Sequence, residues 1–414
     1  MFDDTLLSAI RARFVHVEEC PFTGPRIFFE NAGGALTLKS VVETSARFAA
    51  IPDNQGRDNP ASQALVKVID RSRSDVRRFF NADGGTVVFG ESGTELLFRL
   101  IKDACLGAPE GVVLGSTVEH PASRSAAARW AAQSGRRHVL VAHDDAKGSV
   151  TAEAYAAEVA PDTAVVTILH TSPVTGMSMD LPAIVAAVRA VAPDAYIIAD
   201  GIQHACHGGI DLTAAGVDGY VISPYKVFSR HGYGVAWLSD RLAALAHDTL
   251  IGGPEGNWEL GTRDTGAYAT FSDVIDYFDW LGAQVSDASD PRARIVAAGE
   301  AIHEHETALT QAMVHGTGNL AGLATLPGVQ IVGGADNPAR EGLVSFWAEG
   351  LPSAKIVEQL NAAGVRTHLR KADHYSGNIL APLGQDACVR VSLAHYNSMG
   401  EVRRFLTAMQ EMLP

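Results

Sequence analysis

Two residues carry the most pointed chemistry in this sequence. Asp200 follows directly on the apolar run Tyr196–Ala199, and Lys226 follows the run Gly219–Ile222 within Ser223-Pro-Tyr-Lys226. Singly, each is ordinary: an acid caps a strand, and a lysine is usually a solvated surface charge. Together, at the carboxyl ends of neighbouring strands, they occupy the place where open α/β sheets bind ligands. Val227–Gly234 gives Lys226 an apolar, glycine-rich setting, and an amine desolvated there can form an imine with an aldehyde. Ser92-Gly-Thr-Glu95, after the run Thr86–Phe89, opens a helical pattern over Glu95–Ile101. Its free backbone N–H groups and positive dipole end suit a phosphate. It lacks the Gly-Lys-Ser/Thr of a Walker loop, and as a bare motif it reads as a helix N-cap. His120, ending Ser116-Thr-Val-Glu-His120, lies near a strand end, where a buried histidine is the plain reading.

The elements that must position these residues alternate along the chain. Short apolar runs at Thr86–Phe89, Val112–Leu114, His138–Ala142, Ala164–Leu169, Tyr196–Ala199, Gly219–Ile222 and Gly234–Leu238 are separated by amphipathic segments such as Ala122–Ser134 and Leu181–Val191. Buried strands alternating with helices predict a mainly parallel, doubly wound seven-stranded sheet. A long helical stretch, roughly Ala269–His315, leads to a smaller α+β pattern. There Leu343–Trp347 and Val389–Leu393 read as strands, and Ser353–Ala363 and Met399–Met412 as helices. The expected division is an N-terminal segment 1–20, a large domain 21–285 and a small C-terminal α+β domain 286–414.

The 414 residues are enough for two domains, and 47% hydrophobic with 19% charged residues describe a folded globular chain. A formal net charge of −14 argues against a nucleic-acid partner, which needs a basic surface. No run approaches a membrane span, and Met1–Arg13 has no basic, then apolar, leader pattern. Cys20, Cys105, Cys206 and Cys388 are scattered without metal spacing, as reduced thiols in a cytoplasmic protein would be. His204 and His207 have helical i, i+3 spacing but no evident third ligand, so no metal site is expected. His303 and His305 read as surface residues.

Asp200-Gly-Ile-Gln-His204 followed by Ser223-Pro-Tyr-Lys226 resembles the fold-type-I, class V aminotransferase family, most closely its cysteine desulfurase branch. The resemblance covers the chain from about Phe28 to the C-terminus. It implies a pyridoxal 5′-phosphate enzyme with Lys226 as the Schiff-base lysine and Asp200 on the pyridine nitrogen, keeping the ring an electron acceptor. It further implies that Ser92, Gly93 and Thr94 form the phosphate cup, with Ser223 and Tyr225 reaching the phosphate. His120 stacks on the ring and is placed to move protons, and Gln203 bonds the phenolic oxygen. Gly261-Thr-Arg-Asp-Thr265 resembles the segment whose Thr265 reaches a partner subunit's phosphate, which implies a homodimer. Val389-Arg-Val-Ser-Leu-Ala-His-Tyr-Asn397 resembles the small-domain motif whose arginine, here Arg390, takes the substrate carboxylate, a group that suits a guanidinium fork. Arg366 and Asn31 are further substrate-binding candidates on the same resemblance.

Three departures shape the functional expectation. Cysteine desulfurases carry a nucleophilic cysteine on the loop that here reads His368-Leu-Arg-Lys-Ala-Asp-His-Tyr-Ser-Gly377. Thr171-Ser-Pro173 stands where the family has Ser-Asn, and Tyr225 where it often has histidine. The polar loop reads equally as a solvated turn or as a substrate-selecting segment that binds a second acidic group. The expected activity is therefore on an amino acid through a Lys226 aldimine, as a cysteine desulfurase-like C–S or β-elimination lyase. Transamination and epimerisation share the same first steps and remain open, as does a regulatory protein on a decayed scaffold.

Overall fold

The computed structural model describes residues 1–413. Strands of three or more residues and helices of seven or more are numbered below. Seven strands make the large sheet: β1 (Thr86–Gly90), β2 (Val112–Ser116), β3 (His138–Val141), β4 (Thr163–Leu169), β5 (Tyr196–Asp200), β6 (Gly219–Ile222) and β7 (Gly234–Leu238). Their spatial order is β1-β7-β6-β5-β4-β2-β3. Only β7 runs against its neighbours, so the carboxyl ends of the other six strands share one edge. The Val-, Ile- and Leu-rich strands are buried along nearly their whole length, as a parallel sheet covered on both faces requires.

The covering helices include α1 (Asp4–Arg11), α2 (Lys39–Ala49), α3 (Pro60–Phe80), α4 (Gly93–Gly107), α5 (Pro121–Gln133), α6 (Ala152–Glu158) and α7 (Leu181–Val191). The long helical stretch is in fact two helices, α8 (Thr265–Val285) and α9 (Pro291–His315). Pro291 lacks the N–H that would continue a helix, and Asp290 caps the new one by accepting from the Ala293 N–H. Beyond them β8 (Val329–Ile331), β9 (Leu343–Ala348), α10 (Ser353–Ala362), β10 (His368–Lys371), β11 (Ala387–Ser392) and α11 (Met399–Met412) form the α+β part. Its sheet is antiparallel, in the order β8-β9-β11-β10.

The apolar interior separates accordingly. One cluster packs helices on one face of the large sheet, and another, with Leu97, Ala104 and Ala127, fills the opposite face. A third surrounds the small sheet. Helix α9 joins two of them, with Ile295, Ala298 and Ile302 in the first and Leu309, Met313 and Val314 in the third. His305, expected at the surface, is instead buried on this helix. It stacks on Phe2 at 4.6 Å and bonds the Asn397 carbonyl at 2.9 Å. Among the described residues no helix is long and apolar enough to cross a membrane.

Candidate active site

Five features at the carboxyl edge of the large sheet and one loop of the small sheet meet in one cavity. Its lining includes Thr94 after β1, His120 after β2, and Leu169 and Pro173 around the end of β4. Asp200, Ile202 and Gln203 follow β5, and Ser223, Tyr225 and Lys226 follow β6. Tyr375 enters from the polar loop after β10.

Lys226 ends a short 3-10 turn, Pro224–Lys226, and is only 5% exposed. Burial, helped by the Arg390 charge, lowers its amine from 10.5 to about 8. Its Nζ donates to Gln203 Oε1 at 3.3 Å. Two residues on, Phe228 adopts a left-handed φ of 64°, a conformation costing roughly 1–2 kcal/mol for an L-residue. Aromatic packing from Phe14, Tyr277 and His395 holds it there, so the backbone carrying Lys226 is set by the surrounding core.

Asp200 closes β5 and is 2% exposed. Its Oδ1 accepts from the Ile202 N–H at 3.0 Å and its Oδ2 from the Ser123 hydroxyl at 3.4 Å. Burial raises its carboxyl to about 6, so it is ionised at neutral pH. Asp200 and Lys226 thus form a buried acid–amine pair in which each group is poised near neutrality.

His120 is the N-cap of α5, and its Nδ1 accepts from the Ala122 N–H at 3.0 Å. Its Nε2 hydrogen-bonds the Tyr375 hydroxyl. Burial, then the Lys226 charge, drives its imidazole down to about 3, so the ring is neutral. Behind it, Glu119 is buried against the Ser116 N–H and the Thr167 hydroxyl, and burial lifts its carboxyl to about 7.

Ser92, Gly93 and Thr94 open α4. Ser92 caps the helix by accepting from the Glu95 N–H at 3.1 Å, so its own hydroxyl serves the helix, while Thr94 faces the cavity. A Cβ at Gly93 would overlap the Ser223 hydroxyl and lie 2.7 Å from Ile202 Cδ1. A side chain at Gly234 would strike the Gly93 nitrogen at 2.6 Å. Both glycines are what let the first helical N–H groups and Ser223 converge on one point.

A support system behind Gln203 was not expected. His207 Nε2 meets Gln203 Nε2 at 3.2 Å, and His207 Nδ1 meets Glu306 Oε2, on α9, at 2.7 Å. The Nδ1–H of His207 donates to the Glu306 carboxylate, its Nε2 holds the amide end of Gln203, and the Gln203 carbonyl faces Lys226. In parallel, His204 Nδ1 pairs with Glu341 at 2.9 Å and stacks on His170 at 3.6 Å. The i, i+4 spacing of Gln203 and His207 was the available signal; the glutamates come from distant elements. Among the described residues no group of His, Cys, Asp and Glu is arranged to hold a metal.

The substrate candidates divide. Arg390, on β11, is 2% exposed and donates to the Pro173 carbonyl at 3.0 Å, with Nε unpaired. Burial, then the neighbouring Arg370, lowers it to about 10. Arg366 lies exposed outside the cavity, paired with Glu30 at 2.7 Å. The Asn31 amide bridges to the Ser392 carbonyl at 2.8 Å and also bonds the Tyr396 hydroxyl, a buried tie between N-terminal chain and small sheet. Thr265 begins α8 next to its cap Asp264 and does not line this chain's cavity. Cys388 is buried on β11, its thiol pushed up to about 11 by burial.

These residues fit pyridoxal phosphate. Lys226 offers a buried, weakly basic amine, Asp200 a buried anion for a ring nitrogen, and Gly93–Thr94 with Ser223 a cradle that a side chain would fill. With the cofactor bound, the ring withdraws electrons from a substrate carbon.

Comparison with known proteins agrees. A family model, "Aminotransferase class-V", matches residues 27–405. A "Probable cysteine desulfurase" from Pseudomonas putida is 28% identical over 369 residues, covering 84% of this chain and 83% of that protein. The "Aminotransferase-like protein FGM3" from Gibberella zeae is 25% identical over 438 residues, 98% of each chain. The fold matches an apo cysteine desulfurase from Thermococcus onnurineus NA1 with a TM-score of 0.81 at 21% identity, over 97% of this chain and 98% of that one. The chain belongs to the class-V aminotransferase family and is a cysteine desulfurase-like, pyridoxal-phosphate-dependent enzyme.

Proposed function

We propose that Lys226 carries the cofactor aldehyde as a Schiff base, and that the enzyme acts on an amino acid as a C–S or β-elimination lyase. The observation carrying this reading is the buried contact of Lys226 Nζ with Gln203 Oε1 at 3.3 Å, in a cavity shared with Asp200. Arg390 binds the substrate carboxylate through its unpaired Nε edge. Lys226 would be the group to take the substrate's α-proton, for which an amine titrating near 8 is suited. Asp200 holds the ring nitrogen, and Gln203, oriented by His207 and Glu306, bonds the phenolic oxygen. Neutral His120 packs on the ring, and Gly93, Thr94, Ser223 and Tyr225 hold the phosphate.

A homodimer with Thr265 reaching the partner's phosphate, a cytoplasmic location, and a division into segments 1–20, 21–285 and 286–414 belong to the same reading. The break between α8 and α9 supports the last boundary.

A screen of amino acids against the yellow holoenzyme tests the function. Pyruvate, ammonia and free thiol in equal amounts from an S-substituted cysteine support the lyase. A keto acid without ammonia assigns transamination, and loss of optical activity alone assigns epimerisation. No spectral response to any amino acid would overturn the reading.

A further inference from the structure

The small sheet brings two arginines against the wall of the cofactor cavity, where one suffices for a substrate α-carboxylate. In the β10–β11 ladder His368 lies opposite Arg390 and Arg370 opposite Cys388. Opposed residues and residues two apart share a face, so Arg370 and Arg390 project from the same side. Each touches a residue of the cavity wall. Arg390 donates to the Pro173 carbonyl at 3.0 Å, and the Arg370 guanidinium lies 3.9 Å over the Tyr375 ring.

Neither has an anion. Among the described residues no ion pair involves Arg370 or Arg390, and both have a buried Nε without a partner. The nearby acid, Glu30, is already held by Arg366 at 2.7 Å and His368 at 3.0 Å. Arg370 is also the foremost charge acting on Arg390, and it lowers Lys226 and His120 too. Lys226, Arg370 and Arg390 thus act on one another as like charges, an arrangement that repulsion disfavours unless anions enter. The cofactor phosphate does not answer this need, since its cradle of Gly93, Thr94 and Ser223 lies on the large domain.

We propose that Arg370, with the Tyr375 hydroxyl, is a subsite for a second anion, so that the substrate is an amino acid whose side chain ends in a carboxylate or similar group. The inference rests on the amino-acid reading above and names the substrate class of that same site. Tyr375 joins the two halves of the site: its hydroxyl bonds His120 while its ring lies under Arg370. The Arg124 bond to the His374 carbonyl at 2.8 Å and the Asn378 bond to the Thr117 carbonyl pin this loop over the cavity.

The test compares matched acid and amide ligands by absorbance titration of the holoenzyme. The pairs are S-carboxymethyl-L-cysteine with S-carbamoylmethyl-L-cysteine, L-aspartate with L-asparagine, and L-glutamate with L-glutamine. At least one acid should bind about 10- to 100-fold more tightly than its amide, the size of a hydrogen-bonded charge contact. Arg370→Met should erase that ratio and Arg370→Lys restore part of it. Tyr375→Phe, which keeps the ring beneath Arg370, should reduce the ratio without erasing it. Amides binding as tightly as acids in every pair, or a preference surviving Arg370→Met in a normally melting protein, would overturn the inference and leave the lyase reading intact. If no amino acid of any kind shifts the absorbance, the amino-acid reading falls, and this subsite with it.

Discussion

Lys226 makes a quantitative prediction about how the enzyme takes up its cofactor. Only a neutral amine attacks an aldehyde, and burial sets the Lys226 amine at about 8 instead of 10.5. At pH 7 this raises the neutral fraction from roughly 0.03% to about 9%, a gain of about 300-fold. The rate at which apoenzyme recombines with pyridoxal phosphate, followed by stopped-flow absorbance, should climb about tenfold per pH unit below 8 and then level off. The causes of the shift add a test of sign. Arg390 lowers the amine and Asp200 raises it, so Arg390→Gln should move the break upward and Asp200→Asn downward. A rate that keeps rising to pH 10 would refute the reasoning, because it would describe an ordinary solvated lysine. Breaks that move together in both variants would refute the electrostatic part alone.

The remaining predictions address the other walls of the site. Asp200→Asn should stay yellow yet lose about 10²–10³-fold in turnover, the scale of one preorganised electrostatic contact; near-normal turnover would mean that something else holds the ring nitrogen. Gly93→Ala should weaken cofactor binding about 10- to 100-fold in a fluorescence titration. The added methyl displaces the Ser223 hydroxyl and meets Ile202, and an unchanged dissociation constant would place the phosphate elsewhere. Incubation with cysteine should leave the intact mass unchanged, because the loop 368–377 has no cysteine and Cys388 is buried with its thiol near 11. A sulfur adduct lost in Cys388→Ser would show that this thiol accepts sulfur after all.

The strands of the large sheet were legible because each is a short, largely apolar run, and with them came the strand-end positions of Asp200, Gln203, Ser223 and Lys226. The break at Asp290–Pro291 was written as a cap followed by proline, yet continuous helical periodicity on both sides masked it. The arrangement of distant partners was not legible. Glu306 lies 99 residues from His207, and Tyr375 lies 255 residues from His120; nothing local in either stretch marks the pairing. Arg366 and Asn31 illustrate the converse. Their motif positions were recognisable, but only the fold shows that Glu30 occupies the first and that Ser392 and Tyr396 engage the second. Arg370 stood in a polar loop that read equally as solvated, and strand register is what puts it on the same face as Arg390.

In the proposed function one lysine, Lys226, holds the cofactor. Borohydride reduction of the yellow holoenzyme, followed by protease digestion and mass spectrometry, locates the pyridoxyl group on a single residue. A single modified peptide with the group on Lys226, absent from Lys226→Ala, is the predicted result. A pyridoxyl group on any other lysine, or a reducible adduct that persists in Lys226→Ala, would contradict it.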